Sequence, residues 1–227
     1  DNHSPTPGYL SKVDTDKDYM ASELAEFIRR AYRRPVTEEE LAPYLAYADK
    51  NGYRSALKAI LCSPNFLYLH ENENALNDHA LASRLSYFLW NSMPDAELTS
   101  LASAGELNGI SQLRAQLSRM LADDKARSFI DRFTHQWLGL GNMDDMPAAK
   151  HFEFFHDFFV KDLMKEETAL FVENLLKSNA PISDLIFGDY SYMNAPLARH
   201  YGHKIELGSE FQKVSLATVP ERRGLLG

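Results

Sequence analysis

The chain has 227 residues, 44% hydrophobic and 25% charged, the composition of a globular protein that buries roughly 70–75% of its unfolded surface without staples. Its net charge of −8, from 24 basic and 32 acidic residues, excludes the basic stripe that a nucleic-acid backbone demands. A single cysteine, Cys62, excludes an internal disulfide framework, the lack of CxxCH excludes thioether attachment of a c-type haem to this chain, and no apolar run approaches the ~18 residues of a membrane span.

Residues 1–16 read as an arm or linker: the chain opens without Met in the polar segment DNHSPTPG and reads as a processed piece of something longer. Met20, Leu24, Phe27, Ile28 and Ala31 then follow helical spacing, and Pro35 ends that helix. Thr37 with Glu40 forms a capping box for a second helix through Leu41, Tyr44, Leu45 and Ala48, closed by Asn51-Gly52. A third helix spans Tyr53 to Cys62 and breaks at Ser63-Pro64. Asn77 or Asp78 caps the next, whose aromatic-rich surface predicts a central position, with Leu81, Leu85, Phe88 and Leu89 on one face. Further helices are predicted from Pro94-Asp95 to Ala102, from Ile110 or Ser111 to Ala122, from Lys125 to Trp137, and from about Phe152 to Ser178. Pro196 at the first helical position makes Asn194 or Ala195 the cap of a short last helix.

Period-2 alternation is absent over any length, so the reading is all-α: an irregular multi-helix bundle of about eight to ten helices with negligible strand. A small N-terminal helical module, residues 17–74, and a larger one, residues 75–227, meet at the polar joint Asn72, Glu73 and Asn74. The last residues, ERRGLLG, stop in an apolar run, so the larger module reads as truncated. Leu225 and Leu226, with Val214, Leu216 and Val219, are expected to pack onto residues 189–202 or onto a segment outside the chain.

Several charged or reactive residues read as structural. Arg29, Arg30, Arg33 and Arg34 are followed at once by Glu38, Glu39 and Glu40 and read as a solvated helix end near its negative pole. Cys62 continues an apolar stripe in ALKAILCSP and reads as a buried, inert thiol. The eight histidines show no metal spacing; His151 and His156 diverge by about 140° on a helix. Asp144, Asp145, His151 and Asp157 form the one loose acidic and imidazole cluster, and no metal site is assigned.

Candidate chemistry concentrates in two places. On the long helix Leu163, Glu167 and Phe171 are successive i+4 neighbours, so Glu167 falls in the middle of the apolar face of Val160, Leu163, Met164, Phe171 and Leu175. A carboxylate there needs a cation or donors, and Arg84 in LASRLSYFLW is the expected partner. Glu166 points to the flank and is expected to be solvated. The second place is DYSYMNAPLARHYG, residues 189–202, where Asp189, Asn194, His200 and Tyr201 gather. Glu167, Asp189 and His200 are the candidate acid–base residues, and Arg84, Asn194 and Tyr201 the candidate binding residues. His200 reads either as a base or ligand or as a packing residue.

DYSYMNAPLARHYG, together with LASRLSYFLWNSMPD (residues 81–95) and FIRRAYRRPVTEEE (residues 27–40), resembles a family of planctomycete-type helical domains of unknown function, commonly fused to c-type cytochrome modules. The resemblance implies export to the periplasm or cell exterior and fusion within a multi-domain protein. The expected function is therefore a structural or interaction module beside a redox or polysaccharide-processing partner, with haem, if any, on that partner. Two rivals remain: a carbohydrate-directed hydrolase using the Glu/Asp/His set, and an electron-transfer or haem-docking partner.

Overall fold

The computed structural model describes residues 12–13, 15–68, 76–145, 158–217 and 222–226, and it divides into two units, Asp1–Leu117 and Ser118–Gly227. Among the described residues there are eleven helices, eight of them of seven or more residues, and one two-stranded sheet, so the protein is mostly all-α.

In the first unit short-range capping chemistry sets the helix boundaries. Helix α1 (Lys17–Tyr32) starts where the Asp16 side chain accepts from the Tyr19 N–H at 3.0 Å, and it stops at Arg33, whose φ of 58° is left-handed. Helix α2 (Glu38–Asn51) opens on the predicted capping box: Thr37 Oγ1 accepts from the Glu40 N–H, and the Glu40 carboxylate accepts from the Thr37 N–H. Helices α3 (Tyr53–Leu61) and α4 (Pro64–Leu67) follow. Leu24 and Ile28 of α1, Ala48 of α2, and Ala56 and Ile60 of α3 interlock in one core. Helix α5 (Asp78–Trp90) is capped by Asn77 and α6 (Ala96–Ala104) by Asp95. The buried Asp78 carboxylate accepts from the Leu107 N–H at 2.8 Å and from the Asn108 amide, fastening the turn after α6. The division between units falls on α7 (Ile110–Ala122).

Three expectations are corrected here. The inner face of α5 is Ala82, Ser83, Ser86, Leu89 and Trp90, while Phe88 is 60% exposed. Small serines, with Ser86 Oγ donating to the Ser83 carbonyl at 3.1 Å, let the helix pack closely where bulkier side chains do not fit. Cys62 is exposed, because the helical stripe ends with α3 one residue before it. The arginine cluster is only partly a solvated helix end. Arg34 forms a forked pair with Glu40 at 2.6 and 2.9 Å, and Arg33 donates to the Phe66 carbonyl at 3.1 Å with its guanidinium near the Phe66 and Tyr87 rings.

The second unit contains α8 (Arg127–Trp137), α9 (Val160–Ser178), α10 (Asp184–Phe187), β1 (Tyr190–Met193), α11 (Ala195–His200) and β2 (Gln212–Ser215). Helix α9 begins later than its apolar pattern predicts, because Phe159 adopts a left-handed φ of 49°; the expected start near Phe152 lies outside the described residues. Strands β1 and β2 pair antiparallel, Ser191 opposite Val214, an element that the sequence pattern did not predict. Val160 of α9, Met193, Leu197, Val214 and Leu216 pack together, and Leu225 joins Ile130, Ala169 and Val172 in a neighbouring cluster.

The apolar C-terminal segment thus packs on its own unit. Amides of Leu225 and Leu226 donate to the Leu185 carbonyl at 2.8 and 2.9 Å, and Gly224 at a φ of +57° lets the backbones meet. Val219 lies outside the described residues, as do the joint 72–74 and most of the arm.

Candidate functional site: a buried carboxyl at a cavity wall

Helix α9, strand β1, the end of α11 and the returning segment 222–226 converge on one carboxyl. Glu167 sits midway along α9 and is 8% exposed, the burial its spacing predicts. Its two oxygens are held by two hydroxyls from different elements. Ser191 Oγ of β1 donates to Oε1, and the Tyr201 phenol donates to Oε2 at 2.6 Å. Tyr201 reaches this point because α11 is fixed at both ends. Asn194 caps it by accepting from the Leu197 N–H at 3.1 Å, and Gly202, at a φ of +75°, lets the His203 N–H return to the Ala198 carbonyl at 2.8 Å. The Arg222 guanidinium lies over the Tyr201 ring, 3.7 Å from its centroid.

Burial pushes the Glu167 carboxyl above its ordinary value; the Ser191 and Tyr201 hydrogen bonds, with Arg222 and His203 nearby, offset that only in part. Burial and then the adjacent Glu167 hold the Tyr201 phenol well above its own ordinary value, so it stays a donor. The group faces a cavity of about 340 Å³. Its polar wall is Glu167, Ser191, Tyr201 and Arg222, and Met164, Met193, Leu216 and Leu225 line the apolar remainder. A protonated Glu167 can donate to a guest in this cavity, and an ionised one can accept.

The structure brings together two of the six predicted site residues, Glu167 and Tyr201. Asp189 and His200 have exposed side chains, and neither lines the cavity. Asp189 serves the fold through its carbonyl, which accepts from the Leu216 N–H at 2.6 Å. Asn194 is buried as a helix cap, its amide also donating to the Ser209 carbonyl at 3.2 Å. Arg84 is exposed on α5, and the partners of Glu167 are hydroxyls instead of the expected guanidinium. Glu166 is not simply solvated: it forms a forked pair with Arg127, one arm at 2.9 Å. Ser191 and Arg222 were missed. Ser191 stands inside DYSYMNAPLARHYG, residues 189–202, whereas no local pattern marks Arg222.

Among the described residues no three His, Cys, Asp or Glu side chains are placed to hold a metal ion. Asp144 pairs with Lys165, and His151, His156 and Asp157 lie outside those residues. No helix among them is long and apolar enough to cross a membrane.

Fold and site together define a mostly helical protein with a carboxyl buried at the wall of a small amphiphilic cavity. The chain belongs to the PSD4 family, described as a protein of unknown function (DUF1592), which matches residues 76–203, more than half its length. A second family of unknown function, PSD5 (DUF1595), matches residues 19–71. No curated protein and no solved structure matches the chain.

Proposed function

We propose that the chain is an interaction module of a larger extracytoplasmic protein of the planctomycete type, working beside a cytochrome or polysaccharide-processing partner. A boundary between a small module, residues 17–74, and a larger one, residues 75–227, is supported by the two family matches, which part between residues 71 and 76, whereas the compact units of the fold divide after Leu117. The observation that carries the reading is the dispersal of the acid–base set. Glu167 faces the cavity while Asp189 and His200 stand exposed away from it, so the paired groups of a glycoside hydrolase do not assemble there. Exposed aromatic side chains supply contact surface: Phe133 and Trp137 stack along α8 at 5.3 Å and are 40% and 45% exposed.

Cross-linking mass spectrometry of the full-length protein tests this reading. Links from the exposed lysines of this chain to modules outside it are the expected result. Turnover of a soluble polysaccharide by this chain alone, abolished by Glu167→Gln, overturns it in favour of an acid–base enzyme, the second reading that the raised Glu167 carboxyl favours.

A further inference from the structure

The cavity beside Glu167 has a chemical polarity that an interaction module does not require. One wall carries a guanidinium, a phenol, a serine hydroxyl and a carboxyl; eight Leu and Met residues, Leu138, Met164 and Met193 among them, line the rest. Its volume of about 340 Å³ lies within the range of about 300–1,000 Å³ typical of small-molecule pockets. The Arg222 guanidinium lies over the Tyr201 ring and has no carboxylate of the described residues within ion-pair distance. Glu167 is engaged by two hydroxyls and is not ion-paired with Arg222. A cation and a carboxyl therefore share one wall without neutralising each other directly.

We propose that this cavity binds a small monocarboxylate with an apolar tail, its head group held by Arg222 beside the Glu167 carboxyl. The head-group charge follows from the wall. A guest amine would be repelled by Arg222 and by Arg223, which also lines the cavity. A doubly charged phosphate would meet the Glu167 carboxyl, to which the Ser191 and Tyr201 hydroxyls already donate. A carboxylate carries one charge, fits the planar guanidinium fork, and can share a proton with the Glu167 carboxyl. The Leu and Met side chains select the tail, and Met adapts to tails of differing shape. The proposal does not rest on the interaction-module reading, and either can fail without the other.

Sodium hexanoate is the probe, with hexanamide as its uncharged isostere, titrated into the full chain and followed by methionine-methyl NMR. Saturable shifts of the Met164 and Met193 methyls by hexanoate, with at least tenfold weaker binding of hexanamide, are the expected result. Arg222→Gln should weaken hexanoate at least tenfold, and Glu167→Gln, which keeps a neutral donor, should retain it. Equal affinity for the two probes, no saturable shift at those methyls, or unchanged hexanoate binding in a folded Arg222→Gln protein would overturn the proposal. The comparison of two probes on the wild-type chain needs no variant, so it decides the matter even if Arg222→Gln does not fold.

Discussion

Tyr201→Phe removes one oxygen atom and leaves the ring that packs against Arg222, so it isolates the hydrogen bond to Glu167. With Glu167 ionised, that 2.6 Å bond is charge-assisted, worth about 1.5–3 kcal/mol, and its loss leaves a buried carboxylate oxygen without its donor. With Glu167 protonated, the same bond joins two neutral groups and is worth about 0.5–1.5 kcal/mol. Because burial raises the folded-state value of Glu167, its contribution is complete below the ordinary glutamate value and is lost as pH rises through the folded value. Tyr201→Phe removes a group that favours the ionised form, raises that folded value further, and steepens the loss. Urea unfolding of wild type and variant, at about pH 8 and at about pH 4.5, near the ordinary glutamate value, gives the comparison. The expected defect is roughly twice as large at the higher pH, and it shrinks in a Glu167→Gln background, where no charge is left to serve. An equal defect at both pH values, or one unchanged by Glu167→Gln, would refute the view that the phenol supports a buried, titrating carboxyl.

Three further outcomes follow from the geometry. Gly224→Ala should cost more than about 1 kcal/mol, because a Cβ at this positive φ would land on the carbonyl oxygens of Leu185 and Asp184; amide exchange at Leu225 and Leu226 should speed up first. Thr37→Ala should cost about 1 kcal/mol in thermal unfolding by opening the capping box of α2. The Arg34 fork and the Thr37 N–H hold the Glu40 carboxyl down to about 2, so its contribution is present above the ordinary glutamate value and is lost as pH falls toward about 2. Glu40→Gln should therefore destabilise the protein at neutral pH and match wild type at about pH 2 in chemical denaturation.

Where a signal is local, the sequence was sufficient. Thr37 with Glu40, Asn77, Asp95 and Asn194 cap helices because a cap needs only a side-chain oxygen and an amide two or three residues on. Helical spacing through Leu163, Glu167 and Phe171 likewise placed Glu167 inside, since residues four apart share a face in any helix. Family membership was legible through three motifs whose residues stand close together in the chain.

Tertiary structure decided what the buried carboxyl meets. Ser191 and Tyr201 lie 24 and 34 residues beyond Glu167, and they reach it only because β1 pairs with β2 and α11 is fixed at both ends. Hydropathy favours a guanidinium such as Arg84 as the partner, but a pattern along one helix carries no information about which other element will cover it. The same limit explains the misread face of α5, where small serines are buried because they allow close approach, a property of the pair of surfaces and not of the residue. It also explains why Asp189 and His200, neighbours of Tyr201 in sequence, stand outside the cavity: along fourteen residues of strand, cap and short helix, successive side chains point in different directions. Which side chains the chain can offer is written residue by residue, and which of them converge depends on long-range packing.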